Sequence, residues 1–172
     1  KRIKLIYTSS PWRGLEILLM ALKILNRKDI EVDVYSSTLI YGDKFFEDND
    51  IEWRHLYEEA KRMDGVSYKG FASNGEVRKA LEEAHIFAYP NIWEETSCIA
   101  AIEALSAGCK VVTTSYGALP ETCGDFATYV MYDKNKRNLA KQYAVTLNNE
   151  IDSFFSSSTE RMLMRQKDYT DY

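Results

Sequence analysis

The sequence predicts a doubly wound α/β domain, in which helices cover both faces of one parallel β-sheet. Three observations support this prediction. Short apolar runs rich in β-branched and aromatic residues alternate with longer amphipathic runs along most of the chain. Glycine, proline and capping residues fall between the two kinds of run, where strands and helices must end. Strands and helices that alternate at this spacing are typical of parallel strands joined by crossover helices.

The first half of the chain divides into strands and helices by the spacing of its apolar residues. Residues 3–7 and 31–35 are strand-like, and leucines at helical spacing between them predict a helix over 14–26. A further strand is predicted at 65–70. It follows a polar stretch in which apolar residues recur at the helical period, namely Trp53, Leu56, Tyr57, Ala60 and Met63.

The second half begins with a clear helix start. Ser73 and Glu76 have the spacing of a capping box, which predicts a helix that ends at Ala84. We interpret the serine-rich run 156–159 as the separation between two C-terminal helices of one domain. The other predicted elements are strands at 85–90, 110–115 and 127–132, and helices at 97–107, 136–151 and 159–168.

Length and composition predict one globular domain with no membrane span. The chain has 172 residues, of which 45% are hydrophobic and 28% charged, and no apolar run is long enough to cross a bilayer. A formal net charge of −4 argues against binding to nucleic acid, because phosphate backbones attract basic surfaces. The three cysteines form no C-x-x-C pair, so we expect a reducing, cytoplasmic compartment. The chain opens in a strand without a methionine, so we expect a larger protein around it.

Ligands of doubly wound folds bind beyond the carboxyl ends of the strands. Three loops there are distinctive in sequence, "TSSPWRG" at 8–14, "YPNIWEETS" at 89–97 and "TSYGALPE" at 114–121. The glycines provide neither the G-x-G-x-x-G dinucleotide turn nor a P-loop followed by lysine. We therefore expect no dinucleotide cofactor.

One acidic run, residues 48–50, resembles the metal-binding D-x-D found in one class of glycosyltransferases. Asp48 and Asp50 are placed by the sequence in a polar loop before a helix, where Asp serves as a cap. His55 and His85 have no ligand spacing around them. We expect no metal site; the alternative, a metal-dependent transferase that uses Asp48 and Asp50, would be sensitive to chelation.

The segment from Glu95 to Lys110 is nearly all small or apolar, yet it carries Glu103 in its middle. An unpaired charge in an apolar helix is costly, so Glu103 needs a partner in the protein or in a ligand. Eight residues of helix rise about 12 Å, too far for Glu95 and Glu103 to act as a glycosidase pair. Both carboxylates could still touch different parts of one elongated ligand.

Several motifs in chain order resemble those of the group 1 (family 4) glycosyltransferases of the GT-B fold. The run "EETSCIAAIEALSAGCKVVTTSYGALPE" is similar to the donor-binding half of that family, a Rossmann-like half-domain. "YTSSPWRG" and "YKGFASNGEVRKALEEAHIFAYP" resemble the segments that precede it. The matching positions are Arg13-Gly14, Pro90, Glu95, Glu103-Ala104, Gly108, Val111-Val112 and Gly117 to Glu121.

The resemblance implies a site for a nucleotide diphosphate-sugar. Arg13 would contact the phosphates and Glu95 the sugar hydroxyls, and both are the expected catalytic residues; Glu103 would hold the ribose. The amides that open the following helix would also favour the anionic diphosphate. The expected donor-binding residues are Ser9, Ser10, Arg13, Gly14, Phe71, Glu95, Thr96, Ser97, Cys98, Ile99 and Glu103.

By this resemblance, residues 1–172 form the C-terminal donor domain of a retaining, metal-independent glycosyltransferase without a cofactor. The acceptor site would lie in an N-terminal domain outside this chain, through which the enzyme could touch a membrane surface. Two alternatives remain open, a non-catalytic nucleotide-sugar-binding module and another GT-B enzyme such as a nucleotide-sugar epimerase. The module is favoured by Ser9-Ser10, which replace the family's Gly-Arg and remove one phosphate-binding cation. "TSC" replaces Gly-Phe-Gly after Glu95.

Overall fold

The computed structural model describes residues 2–157 and 159–171, apart from the side chains of residues 159 and 162. The strands are β1 (Ile3–Thr8), β2 (Ile30–Tyr35), β3 (Val66–Tyr68), β4 (Ile86–Tyr89), β5 (Lys110–Thr114) and β6 (Ala127–Val130). The helices are α1 (Leu15–Leu25), α2 (Asp43–Arg62), α3 (Asn74–Glu83), α4 (Ile99–Ser106), α5 (Leu119–Cys123), α6 (Lys136–Ser156) and α7 (Thr159–Asp171). Short 3₁₀ turns occupy Pro11–Arg13, Leu39–Tyr41 and Gly124–Phe126.

The strands form one six-stranded sheet in the order β3-β2-β1-β4-β5-β6, and every pair is parallel. This confirms the predicted doubly wound α/β fold. The first strand pairs with β2 on one side and β4 on the other, so the chain reverses its direction of winding between β1 and β4. The loops that leave β1 and β4 lie at this switch point, the part of the carboxyl edge where doubly wound folds form their ligand-binding crevice.

Helices cover both faces of the sheet, as the sequence predicts. On one face α1 packs against α6 and α2, whereas α3, α4, α5 and α7 lie on the other face. Of the two central strands, β4 is apolar and buried at every position, and β1 is buried at every position except Lys4. Such continuous burial is typical of parallel strands that are covered on both sides.

The predicted helix starts are correct where a local cap determines them. Ser73 and Glu76 form the complete capping box of α3. The last two helices are also present, with α6 ending at Ser156 and α7 beginning at Thr159; residue 158 of the serine-rich run lies outside the described residues. The short α5, which follows Ala118 with Pro120 in its first turn, is absent from the sequence prediction.

One predicted loop is a helix. Asp48 and Asp50 lie inside α2 and do not cap it, because α2 begins at Asp43, directly after Gly42. Asp50 lies on the buried face of this helix, where its carboxylate accepts a hydrogen bond from the Thr38 hydroxyl at 2.9 Å. The hydrogen bond from Thr38 thus compensates for the burial of the Asp50 carboxylate on the inner face of α2.

Candidate functional site

The loops after β1 and β4 meet in the crevice at the switch point. The backbone N–H of Ile92 donates to the Arg13 carbonyl at 2.9 Å. Gly14, with φ +153°, lies so close to the second loop that an added Cβ would stand 2.4 Å from the Pro90 oxygen. Only glycine, which has no Cβ, allows this approach, so the close packing of the two loop backbones requires a glycine at position 14.

Arg13 and Glu95, one from each loop, form an ion pair. Nη1 of Arg13 donates to Oε1 of Glu95 at 2.7 Å, and the two side chains are 27% and 4% exposed. Burial opposes the charge of Arg13, but the neighbouring carboxylate outweighs it and raises the pKa of the guanidinium. The Nε atom of Arg13 is buried and has no hydrogen-bond partner among the described residues. The sequence predicts both residues for the site but not their direct contact.

Tyr89, the last residue of β4, holds the same carboxylate oxygen. Its hydroxyl donates to Oε1 of Glu95 at 2.7 Å, and the hydroxyl of Ser9 lies 3.5 Å from it. The ring of Tyr89 is fully buried, and burial raises the pKa of its hydroxyl well above the usual value. Glu95 therefore accepts two hydrogen bonds on one oxygen, whereas no described residue donates to Oε2.

The third loop, after β5, supports the backbone of Glu95. The N–H of Ala118 donates to the Glu95 carbonyl at 2.9 Å. A Cβ at Gly117, whose φ is +62°, would stand 2.6 Å from the Glu95 nitrogen and 2.9 Å from its oxygen. Gly117, a position of the motif that the sequence shares with the family, is the residue that lets this loop approach Glu95.

Trp93 lies on the surface beside the ion pair. Its indole is 47% exposed, and the guanidinium of Arg13 lies 5.9 Å from the ring centroid, within cation–π range. The fully buried side chain of Asn91 accepts from the Trp93 N–H at 3.0 Å and donates to the Trp93 carbonyl at 2.6 Å. The backbone that presents this exposed indole is thus held at both ends.

The helix after Glu95 begins later than the sequence predicts. It starts at Ile99 with Cys98 as the N-cap, so Thr96 and Ser97 are exposed loop residues and do not open the helix. The physical reason is that the backbone of Cys98 is extended, with φ −95° and ψ 91°, so the Cys98 carbonyl is the first to accept helical hydrogen bonds, from Ala101 and Ile102.

Cys98 and Ile99, at the start of this helix, differ in their exposure to solvent. Cys98 is 2% exposed, and burial raises the pKa of its thiol to about 11, so the thiol is neutral at physiological pH. Ile99 is 69% exposed. Cys98 and Ile99 thus contribute their backbone amides and the exposed Ile99 side chain at the start of α4. The neutral Cys98 thiol is not a reactive group.

Glu103 is only half-buried, in contrast to the deeply apolar position that the sequence predicts. Its neighbour Ile102 is 45% exposed, so this side of α4 faces solvent. Within the described residues, the Glu103 carboxylate has no hydrogen bond or ion pair. The buried carboxylate of the site is Glu95, and its partners come from the protein.

The remaining predicted residues are distributed along the carboxyl edge. Ser9 contacts Tyr89, and Oγ of Ser10 lies 2.9 Å from the Tyr41 hydroxyl, so neither hydroxyl caps α1. Phe71 follows the edge strand β3 and is 54% exposed. No contact among the described residues joins Phe71 to Arg13 or Glu95, because β2 separates β3 from the switch point.

The acidic run in α2 is occupied by protein contacts. Asp50 accepts from Thr38 and pairs with Arg54 at 3.3 Å, whereas Asp48 is exposed. Within residues 2–157 and 159–171, no three His, Cys, Asp or Glu side chains gather as a metal ion would require. Nor does any helix in the described part of the chain have the length and apolarity needed to span a membrane.

Tyr89 and Trp93 are the site residues that sequence reasoning missed. Each of the two has a sequence feature that could have identified it as a site residue. A tyrosine that ends a fully buried strand needs a partner for its hydroxyl, and the crevice is the nearest source of one. A tryptophan in a polar loop beside a predicted ligand residue is a candidate for an exposed contact.

The strand order, the switch point and the charged loops define one half of a doubly wound ligand-binding protein. The chain matches the family described as Glycosyl transferases group 1 over residues 6–167. Since this match covers nearly the whole chain, the protein belongs to the group 1 glycosyltransferase family.

Individual relatives agree with this assignment. The chain is 26% identical over 154 residues to spore coat protein SA of Bacillus subtilis (strain 168), which covers 87% of this chain and 38% of that protein. It is similar in fold to the pneumococcal O-GlcNAc transferase GtfA in complex with UDP and GlcNAc, with a TM-score of 0.72, 13% identity, and 98% of this chain and 31% of that one covered. The catalytic domain of starch synthase IV from Arabidopsis thaliana, bound to ADP and acarbose, gives a TM-score of 0.70, 12% identity, and coverage of 99% and 35%. The chain therefore spans between about a third and two fifths of these relatives.

Proposed function

We propose that this chain is the donor-binding domain of a retaining, metal-independent glycosyltransferase. It would bind a nucleotide diphosphate-sugar at the carboxyl edge of the sheet, for transfer of the sugar to a glycan, lipid or protein acceptor. The observation that carries the proposal is the Arg13–Glu95 pair at the switch point between β1 and β4. A cation and a carboxylate side by side are suited to the two halves of such a donor, the anionic diphosphate and the hydroxyl-rich sugar.

Arg13 has the donors that a diphosphate needs. Only Nη1 bonds to Glu95, while Nε is buried without a partner among the described residues, so the guanidinium can hold the carboxylate and a phosphate at once. Arginine favours such shared binding because its donors form a rigid planar fork. In the loops after β1, β4 and β5 (9–14, 90–98 and 115–118), Arg13 is the only basic residue.

Glu95 and Glu103 take the uncharged parts of the donor in this proposal. Oε2 of Glu95 would accept from a sugar hydroxyl, and Glu103 would accept from the ribose hydroxyls. Glu103 supports this role because it is half exposed and carries no ion pair within the described chain. Solved relatives hold UDP in one case and ADP in another, so the proposal extends to the nucleoside diphosphate and leaves the base open.

The proposed reaction breaks the bond between the anomeric carbon and the phosphate oxygen. The acceptor oxygen bonds to the same face of the sugar, and its proton passes to the departing phosphate, which preserves the anomeric configuration. Arg13 would stabilise the charge that develops on the leaving diphosphate, and Glu95 would hold the sugar in position. No metal takes part in this proposal.

The acceptor site belongs to a further domain in this proposal. Since the relatives are two to three times longer than this chain, we assign acceptor binding and part of the catalytic machinery to an N-terminal domain of the same enzyme. The three free cysteines are all buried, which fits the reducing cytoplasm that we propose as the location.

The direct test is ligand binding to the 172-residue chain. Thermal unfolding is followed with the diphosphates of uridine, guanosine, adenosine and thymidine and with their sugar esters, each with and without EDTA. A ligand at 100 times its dissociation constant should add about 2.7 kcal/mol of stability. The matching nucleosides and inorganic phosphate serve as controls. Absence of a shift with every diphosphate and sugar ester at millimolar concentration would refute the proposal.

One observation favours a second function. Because Arg13 is the lone cation of the three loops and already pairs with Glu95, the site could bind a nucleotide-sugar without driving its departure. A non-catalytic binding module is therefore the alternative. Transfer assays on the full-length protein, with the donor identified by the binding test, distinguish a transferase from a binding module, because the module binds the donor and leaves it intact. A nucleotide-sugar epimerase would instead convert the sugar of the donor.

A further inference from the structure

Two groups converge on the Glu95 side chain and leave one of its oxygens without a donor among the described residues. Arg13 Nη1 and Tyr89 Oη both donate to Oε1, each at 2.7 Å. Oε2 has no donor among the described residues, and it is not sealed from solvent. The side chain of Glu95 is 4% exposed, so only a small part of it remains accessible to a ligand.

Tyr89 itself is held firmly. Its ring is fully buried at the end of β4 and packs against Tyr7 at 5.8 Å and Phe87 at 5.4 Å between centroids. The hydroxyl of Ser9 lies 3.5 Å from Tyr89 Oη and can donate to it, which leaves the tyrosine proton for Glu95. The strand thus presents a fixed donor to a side chain on a loop.

We propose that Tyr89 is a positioning residue, which orients the Glu95 carboxylate so that Oε2 faces the sugar of the bound donor. This inference rests on the proposed function and deepens it. Without the hydroxyl, Arg13 alone would hold Glu95. Because Arg13 must also bind the diphosphate, a ligand would then pull the two groups apart. The second anchor keeps the carboxylate in place while the guanidinium shifts towards phosphate.

The inference predicts an effect on the sugar alone. In Tyr89→Phe the ring and its packing remain and only the hydroxyl is lost. Binding of the sugar ester should weaken by about fivefold to tenfold, the usual effect of losing the net contribution of one hydrogen bond. Binding of the matching diphosphate should change less than about twofold, because Arg13 still holds it.

A matched control separates positioning from packing. Tyr143 is also fully buried, and its hydroxyl donates a single hydrogen bond, 2.7 Å long, to the Val112 carbonyl. Tyr143→Phe removes a comparable buried hydrogen bond in which the Glu95 carboxylate takes no part. It should lower stability as Tyr89→Phe does, and it should leave the ratio of sugar-ester to diphosphate affinity at the wild-type value.

The experiment is calorimetric titration of the wild-type chain and both variants with the diphosphate and its sugar ester. Unfolding curves of Tyr89→Phe, Glu95→Ala and the double variant accompany it. The double variant should lose less stability than the sum of the single variants, because both substitutions break one bond. If Tyr89→Phe does not fold, Ser9→Ala replaces it, with a smaller effect in the same direction expected.

The outcomes separate this inference from the proposed function. A wild-type chain that binds no diphosphate or sugar ester refutes the proposed function, and the inference with it. A wild-type chain that binds both, with the affinity ratio unchanged in Tyr89→Phe or changed equally in Tyr143→Phe, overturns the positioning role alone. Additive stability losses in the Tyr89 and Glu95 variants overturn it as well.

Discussion

Arg13 and Glu95, 82 residues apart in the chain, are joined by a hydrogen-bonded ion pair of 2.7 Å between Nη1 and Oε1. The two opposite charges neutralise each other in this pair. A diphosphate would approach the same guanidinium from its other nitrogens, so the pair both stabilises the unliganded domain and prepares it for an anion.

Replacement of Arg13 should affect stability and diphosphate binding together. Arg13→Ala leaves the buried Glu95 carboxylate without a cation, which should lower the free energy of unfolding by about 1 to 3 kcal/mol. It should weaken diphosphate binding and leave nucleoside binding unchanged. Arg2→Ala removes an exposed surface pair of 3.5 Å and serves as the control, with little change expected. Urea unfolding and calorimetric titration measure both effects. Unchanged diphosphate affinity would remove Arg13 from the phosphate site.

Replacement of Glu103 should affect ligand binding and spare the fold. Its carboxylate is half-buried and unpaired among the described residues, so Glu103→Gln should keep the free energy of unfolding within about 0.5 kcal/mol of wild type or raise it slightly. If Glu103 holds the ribose, the nucleoside, the diphosphate and the sugar ester should weaken by similar factors. Glu82→Gln on the exposed surface of α3 is the control. A large loss of stability, or intact binding, would contradict the ribose role.

Replacement of Gly117 should displace the Glu95 loop. A Cβ there meets the Glu95 backbone at 2.6 Å, and the φ of +62° adds strain, so Gly117→Ala should be destabilising and should weaken sugar-ester binding. Gly42→Ala isolates the strain, since Gly42 also has a positive φ of +97° but its Cβ would meet nothing within 4 Å. Gly75, in α3 with open space around it, should accept alanine without loss. Equal effects at Gly117 and Gly42 would show that the close approach to Glu95 is unimportant.

Alkaline pH should destabilise the domain through its buried thiols. Burial raises the pKa of Cys98 from 9.0 to about 11, and those of Cys109 and Cys123 to about 12. Because the folded pKa exceeds the unfolded one, this stability is fully present below pH 9 and is lost as the pH rises through the folded values. The slope can reach about 1.4 kcal/mol per pH unit for each thiol. Urea unfolding from pH 7 to 11 measures it, and Cys98→Ala should make the initial slope shallower. A flat profile above pH 9 would contradict the burial of these thiols.

Donor binding should be independent of metal ions. We expect the thermal shift to be the same with EDTA, magnesium or manganese, because Asp50 is occupied by Thr38 and Arg54. Asp48→Ala should change nothing, whereas Asp50→Ala should destabilise the fold by leaving the Thr38 hydroxyl unpaired. The metal-dependent alternative requires that chelation abolish the shift and that Asp48→Ala do the same.

Local patterns were sufficient for the order and type of most elements. The capping box at Ser73 and Glu76 specifies the start of α3 because both of its hydrogen bonds lie within four residues. The apolar run that becomes β4 and the leucine spacing of α1 likewise need no distant partner to be recognised. The order of the motifs also predicts that Arg13 and Glu95 belong to one site, although it does not predict their direct contact.

Local sequence patterns predict the alternation of strands and helices, the switch-point loops and most of the candidate residues. These features depend on the period of burial and on neighbouring side chains. Tertiary structure decided what no local pattern encodes. It extended the Glu95 loop to Cys98, joined the Glu95 carbonyl to Ala118, and placed Asp50 inside α2 opposite Thr38. It also paired Glu95 with Arg13 and Tyr89 and left Glu103 half exposed. The physical reason is common to all of them: the partner of each polar group lies on a different segment, and only the packed sheet brings the two within hydrogen-bond distance.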